Sequence, residues 1–153
     1  MNFTGVQVAT KVADHLTAYF AGNPNVSVTR DYFPIAERGD YAKGEFKINV
    51  WPLGISSSVA GRGRNAFSRI LSRTIGVGIV SRGEMVLDAN KNEIHDQTKM
   101  DDFILFVEDV MNEVNAVDEI TVDEIEDADY LDPITLEAER LLSTVVNVTY
   151  KDS

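Results

Sequence analysis

The sequence predicts an α+β fold, with a mainly antiparallel β-sheet of about four to five strands and two helices packed on one face. Two segments place apolar residues at helical spacing, and three others alternate apolar and polar residues as strands do. Their order is helix, three strands, helix, an irregular acidic stretch and a final strand. No internal repeat or long linker divides the chain. We therefore expect residues 1–153 to form one domain, with a long loop at about residues 53–67.

Two amphipathic helices are predicted. Thr4 and Gln7 have the spacing of a capping box, and Gly22 and Pro24 end the first helix near Ala21. Its apolar stripe consists of Val8, Val12, Leu16, Tyr19 and Phe20. The second helix is predicted to begin at Thr98, with Asp101 three residues later. Its stripe consists of Phe103, Val107, Val110 and Val114, widened by Phe106 and Met111.

The strands are predicted from β-branched residues and from alternation. Residues 26–33 form the first, and residues 46–51 form the second, which should end at Pro52 and Gly54. A third strand covers residues 69–82, where Gly76 and Gly78 share one face and indicate either a close neighbour above them or a bend in the strand. A short edge strand is predicted near residues 118–125 and a final strand over 141–150. Pro133 excludes a continuous helix between them, so we expect a loop there.

Residues 54–69, GISSSVAGRGRNAFSR, combine three glycines, four serines and three arginines without an acidic residue. Gly54 and Gly61 are too far apart for a P-loop, and a strand follows instead of a helix, which also excludes a dinucleotide-binding turn. Arginines among glycines suit contact with nucleic acid, but no aromatic residues are interleaved with them and the chain is acidic. Loops of this length are commonly functional. We interpret the segment as an arm that orders against a partner protein.

Charge is divided unevenly along a chain of net charge −11. No acidic residue occurs from Phe46 to Gly83, which contain Lys47, Arg62, Arg64, Arg69, Arg73 and Arg82. From Met100 to Glu139 there are fifteen acidic residues and no Lys or Arg. Opposite charges on two surfaces allow copies of one chain to attract each other head to tail. The alternative is that the two segments neutralise each other within one chain.

Catalytic and metal-binding patterns are not recognisable in the sequence. The chain has no cysteine, which excludes disulfides, thiolate metal sites and cysteine nucleophiles. The acidic run VDEIEDADYLD lacks the glycine that a calcium loop requires, and neither His15 nor His95 has neighbours suited to catalysis. No signal peptide or membrane span is predicted. We therefore expect a soluble, non-enzymatic protein that is made in a cytoplasm and has no catalytic residue, metal or cofactor.

The order of these elements resembles that of the tail terminator (tail completion, or neck) proteins of long-tailed bacteriophages. The resemblance covers most of the chain. It begins with the amphipathic helix, DYFP and the strand FKINVWP, followed by the Gly/Ser/Arg loop and the strand RTIGVGIVSR. It continues with the helix MDDFILFVEDVMNEV, the crossing YLDPITL and the closing strand LLSTVVNVTYK.

The resemblance implies a virion protein that forms a homo-oligomeric, typically six-fold ring. Such a ring caps the tail tube and joins it to the head–tail connector, so the implied partners are other copies of the chain, the tail tube protein and the connector protein. The sheath protein, and genomic DNA passing through the channel, are further implied contacts. Within this scheme we expect contacts to an adjacent subunit or a stacked ring from Arg62, Arg64, Arg69 and Arg73. An acidic interface or channel lining is expected from Asp123, Glu124, Glu126, Asp127 and Asp129.

Two other functions fit the same sequence. A head-completion or connector protein that contacts the portal would also be a small ring-forming chain with a long loop. An acidic inhibitor that mimics duplex DNA would explain the carboxylates but leaves the basic segment without a role.

Overall fold

The computed structural model describes residues 3–32, 45–59, 69–126, 128–133, 136 and 141–151. Their elements are α1 (Gly5–Tyr19), β1 (Val26–Arg30), β2 (Phe46–Val59), β3 (Arg69–Arg82), β4 (Met85–Leu87), β5 (Glu93–His95), α2 (Gln97–Val114), β6 (Thr121–Ile125) and β7 (Leu141–Lys151). Five strands form one sheet in the order β1-β2-β3-β7-β6, and β4 pairs with β5 separately. Only the β1–β2 pair of these described strands is parallel. The predicted α+β fold with a mainly antiparallel sheet is confirmed.

Both helices contribute to one core against a single face of the sheet. In the centre of that face Val77 of β3 lies between Val50 of β2 and Val146 of β7. The buried helix residues are Val8, Ala9, Val12, Ala13 and Leu16 of α1 and Phe103, Val107, Val110 and Val114 of α2. The predicted stripes are therefore confirmed, apart from Tyr19. Its ring is exposed because its hydroxyl donates a hydrogen bond to the Asp109 carboxylate, 2.9 Å away.

Polar side chains join α1 to α2 and to the turn that follows α2. Three α1 residues spaced four apart contact acidic partners: Lys11 with Glu119, His15 with Glu113 and Tyr19 with Asp109. The Lys11 hydrogen bond and charge hold the pKa of Glu119 below its ordinary value. Such partly exposed pairs contribute little stability each, but residues four apart share one helix face and so fix the rotation of α1 against α2.

The opposite face of the sheet carries a buried aromatic side chain, Trp51. Its indole lies directly over Gly76 and Gly78, and a Cβ atom at Gly76 would overlap the ring. Trp51 is only 3% exposed, although its strand was predicted to be buried on one face alone. The predicted close neighbour above the two glycines is thus confirmed, and it comes from the adjacent strand β2.

The N-terminal cap of α2 is Asp96, and the predicted start at Thr98 is wrong. The Asp96 carboxylate accepts a hydrogen bond from the Thr98 backbone amide at 3.0 Å, which leaves Thr98 inside the first turn. We expect Asp96→Ala to lower the free energy of unfolding by about 1 kcal/mol, because an orphan amide loses its acceptor. Thr98→Ala should change it by less than about 0.5 kcal/mol. Urea unfolding of both variants measures the difference, and equal losses would contradict the assignment of the cap.

The strand β2 continues past Pro52 and Gly54, which were predicted to end it. Pro52 pairs with Ile75 and Gly54 with Thr74, so Leu53 is the extra residue of a β-bulge. The neighbouring strand β1 pairs only as far as Val50. Proline is tolerated there because β2 has become an edge strand and its missing N–H breaks no ladder. The predicted loop at 53–67 is therefore strand over residues 53–59, and residues 60–67 lie outside the described ones.

One further segment, the polar connection after β3, differs from its prediction, whereas the acidic crossing agrees with its own at residues 126 and 128–132. The polar connection after β3 contains the small β4–β5 hairpin, whose turn is held by the Asp88 carboxylate accepting from the amides of Asn90 and Asn92. The acidic crossing predicted as a loop is attached to β7: the Thr144 hydroxyl donates to the Asp129 carbonyl, and the Asp132 amide donates to the Ser143 carbonyl. The edge strand predicted near 118–125 is confirmed as β6.

Candidate assembly surfaces

A two-stranded extension projects from the sheet, and we call residues 53–59 of β2 with residues 69–71 of β3 the arm. These residues pair with each other from Ser57–Leu71 to Val59–Arg69. In the described part of the chain, β7 pairs with β3 only as far as Ser72, and β1 does not pass Val50. The backbone edges of the arm are thus open. An isolated two-stranded hairpin is marginally stable in water, so a partner surface would stabilise the arm.

Two large apolar side chains are exposed at the base of the arm. Ile55 is 64% exposed and Leu53 is 51% exposed. Ile55 lies opposite Arg73, which lies opposite Tyr150 of the core, so Ile55 belongs to the helix side of the sheet. The helix layer begins at Pro52, where a Cβ atom at Gly5 would lie 3.8 Å from the Pro52 Cβ. Ile55 is exposed because it lies beyond the end of α1.

The other end of the sheet has a cavity of about 380 Å³ on the same side, which we call the α2 pocket. The ring of Phe46 stacks on Phe106 with 4.2 Å between centroids, and both rings line the cavity together with buried Leu142. Its remaining lining residues are Ser81, Arg82, Lys99, Asp102, Leu105 and Asp109. Leu105 is 64% exposed, since it lies off the core-facing stripe of α2.

The β4–β5 hairpin adds apolar surface that follows β3 directly. Val86 and Ile94 lie directly opposite each other across its two strands, and both are exposed, as is Leu87. Contiguous exposed apolar residues on a small protein commonly mark an interaction surface. Apolar residues are therefore exposed both at the arm and beyond the opposite end of β3.

The predicted basic contacts do not form one described cluster. Arg62 and Arg64 lie outside the described residues, and Arg69 begins β3 where the arm starts. Arg73 is 7% exposed and lies between Ile55 and Tyr150 in the sheet register. Arg73 therefore lies on the buried side of β3, and its predicted contact to a neighbouring subunit stays a prediction.

The predicted acidic residues lie along one edge of the sheet and the crossing that follows it. Asp123 and Glu124 are exposed on β6, and Glu126 follows the strand and accepts a hydrogen bond from the Asn147 amide at 2.9 Å. Asp129 is exposed, while Asp127 lies outside the described residues. The Asp123 carboxylate lies 4.0 Å from the Lys151 ammonium. Carboxylates on a short, bulged edge strand discourage strand pairing, so this edge is unsuited to receiving another strand.

Tyr150 has a buried hydroxyl with no hydrogen-bond partner among the described residues. Burial raises the pKa of Tyr150 well above the ordinary value of a tyrosine. At neutral pH we expect the free energy of unfolding of Tyr150→Phe to equal that of the parent protein or to exceed it by up to about 1 kcal/mol, because an unsatisfied polar atom is removed.

The same substitution should change the alkaline limb of the stability curve. With a raised folded pKa, stability is complete below pH ~10 and falls as pH rises, because only the unfolded phenol ionises there. Tyr150→Phe should lose less stability than the parent above pH 10, measured by urea unfolding across pH. Tyr32→Phe, at an exposed position, is the control. A destabilised Tyr150→Phe at pH 7 would contradict the assignment.

Within the described ranges, no group of three or more His, Asp or Glu residues is arranged to hold a metal ion. No described helix has the length and apolar character needed to cross a membrane. The chain matches no protein-family model and no curated protein. Proposals about its function therefore depend on its own geometry and charge.

The sequence does not by itself identify Leu53, Ile55 or Leu105 as surface residues. One signal was present for Leu105, since it falls outside the stripe formed by Phe103 and Val107. The strand register of Ile55 depends on the bulge at Leu53, which shifts every residue after it by one position. The sequence pattern alone does not reveal this shift.

Proposed function

We propose that this chain is a structural subunit that associates head to tail with copies of itself into a closed ring. In line with the resemblance to tail terminator proteins, we propose that the ring is six-fold, caps a phage tail tube and joins it to the head–tail connector. DNA would pass through its channel. The observation that supports self-association is the arm, which projects beyond the sheet with open backbone edges and exposed Leu53 and Ile55.

A closed ring needs two different surfaces on one subunit, because each copy uses one surface toward each neighbour. The arm and the α2 pocket meet this requirement. Ile55 pairs with Arg73, and Ser81 of the same strand lines the pocket. Eight residues of extended strand separate the two surfaces by ~26 Å. Unlike apolar surfaces at opposite ends of one subunit allow copies to associate in series.

Charge supports the same arrangement. The strands β2 and β3 contain no acidic residue, whereas α2 contains no basic residue from Met100 onward. The acidic helix α2 of one copy attracts the basic strands of another copy, which speeds encounter. Electrostatic attraction of this kind is screened by salt.

Negative-stain imaging of the purified protein tests the proposal. We expect annular particles whose class averages show six-fold rotational symmetry, and we expect these annuli at the ends of tail tubes when tubes of the parent phage are added. Linear filaments or compact dimers would contradict a closed ring. If annuli form but do not bind the ends of tubes, the proposed placement on the tail is wrong, while the proposed ring stands.

A further inference from the structure

We propose that Ile55 of one copy occupies the α2 pocket of the next copy, against Leu105. This inference rests on the proposed function, because it names the contact that would hold neighbouring subunits together. The occupant is a second copy of this chain, and the described arm supplies its contact residues.

The pocket has the size and chemistry to receive an aliphatic side chain. An engineered cavity of ~150 Å³ lined by apolar side chains holds benzene, and this cavity measures about 380 Å³. Phe46, Phe106 and Leu142 supply apolar lining on one side, and exposed Leu105 lies beside them. Ile55 with its neighbour Leu53 supplies the apolar surface that such a pocket can bury.

The two surfaces cannot meet within one subunit. Both lie on the helix side of the sheet, but the strand between them spans ~26 Å. A rigid, paired β3 holds that separation, since β3 is hydrogen-bonded to β2 throughout and to β7 from Ser72 to Arg82. Ile55 therefore reaches an α2 pocket only on another copy.

The charge of α2 favours the arm of a second copy over an acidic partner, because the helix has five acidic residues and no basic residue from Met100 onward. Asp102 and Asp109 of α2 lie on its rim, and the Tyr19 hydroxyl donates to Asp109. Lys99 and Arg82 complete the charged lining. The arm brings no carboxylate to Asp102 and Asp109, and Arg69 begins the β3 strand of the arm. An approaching acidic segment would meet the carboxylates of α2.

Disulfide trapping tests this contact without background, because the chain has no cysteine. The variant Ile55→Cys/Leu105→Cys should give, on mild oxidation, a ladder of covalent multimers that ends at the closed ring on a non-reducing gel. A disulfide requires Cα atoms within ~7 Å, so these two positions cannot cross-link within one chain. The contact would hold the two thiols at an effective concentration in the mM range, so the disulfide should form at least about tenfold faster than in the control.

The matched control is Ile55→Cys/Val145→Cys. Val145 is half-exposed, lies in the middle of β7 and points to the sheet face opposite the helices, since it pairs with Gly78. We expect no ladder from it. Equal ladders from both variants would show random collision and overturn the proposal.

The mass of the unsubstituted protein separates this inference from the proposed function. If the parent protein forms rings and Ile55→Cys/Leu105→Cys gives no ladder above the control, the pocket has another occupant and this inference is wrong, while the ring stands. If the parent protein is monomeric throughout a concentration series and neither variant cross-links, both proposals are wrong. A ladder from the first variant alone supports both.

Discussion

Replacing Ile55 with aspartate is expected to convert the assembled protein into monomers that remain folded. Ile55 is 64% exposed in the single chain, so its substitution removes no intramolecular packing. Burying an isoleucine side chain at an interface contributes about 2 kcal/mol, which corresponds to roughly 30-fold in the dissociation constant of each contact. Aspartate adds the cost of burying a charge among the apolar lining of the pocket.

The comparison with Ile55→Lys tests the cost of burying a charge. The apolar stem of lysine can cover the pocket lining while its ammonium stays in water, so Ile55→Lys should weaken assembly less than Ile55→Asp does. Sedimentation velocity of the parent and both variants, with thermal melts recorded in parallel, gives the order. If Ile55→Asp assembles like the parent protein, the arm does not form the contact between subunits.

The largest expected loss of stability comes from Gly76→Ala. The Trp51 indole occupies the space that the new Cβ would need, and the ring is 3% exposed, so it has no free volume into which it can move. Overpacking of this kind costs about 1–3 kcal/mol, which lowers the melting temperature of a chain of this size by roughly 3–10 °C. Trp51 is the only tryptophan, so a red shift of its fluorescence should report displacement toward water.

Gly54→Ala is the control on the same pair of strands. No heavy atom lies within 4 Å of a Cβ built at Gly54, so the substitution should change the free energy of unfolding by no more than about 0.5 kcal/mol. The fluorescence of Trp51 should stay unchanged in this variant. A Gly76→Ala protein as stable as Gly54→Ala would mean that Trp51 does not pack on Gly76.

Most of the fold was predictable because local patterns and tertiary packing agree. The stripes of α1 and α2 face the core, and alternation in β3 and β7 matches their buried faces. The glycines of β3 even indicated a covering group, which is Trp51. At these positions the residue types that favour an element are also those that its surroundings bury.

The differences arise where the neighbouring strand decides the outcome. Pro52 ends a strand in isolation but is tolerated in β2, because β1 has already stopped and a bulge follows. Asp96 caps α2 although Thr98 has the better spacing to Asp101. A charged residue such as Arg73 is expected at the surface, yet its position in β3 places it on the buried side of the sheet beside Tyr150. The residues next to each of these positions in the sequence do not by themselves predict any of the three outcomes.

The candidate surfaces were less predictable than the fold. The sequence predicted that the segment after Pro52 orders against a partner, with the arginines as the residues in contact. It did not indicate that apolar residues of the segment are exposed. Exposed apolar side chains are ordinary in a sequence and informative only once their solvent exposure is known. Leu53 and Ile55 are exposed beyond the end of the helix layer, and Leu105 is exposed beside the α2 pocket. These positions make the three residues candidates for contacts between subunits.

The central claim is that copies of this chain associate head to tail into a closed ring, and the mass of the purified protein in solution tests it most directly. Light scattering after size exclusion, over a series of concentrations and at low salt, should show one species of about six chains, because a ring closes at a fixed number. Raising the salt should shift this species toward monomers as the attraction between basic and acidic surfaces is screened. A monomer at every concentration, or a mass that grows without limit, would contradict the account.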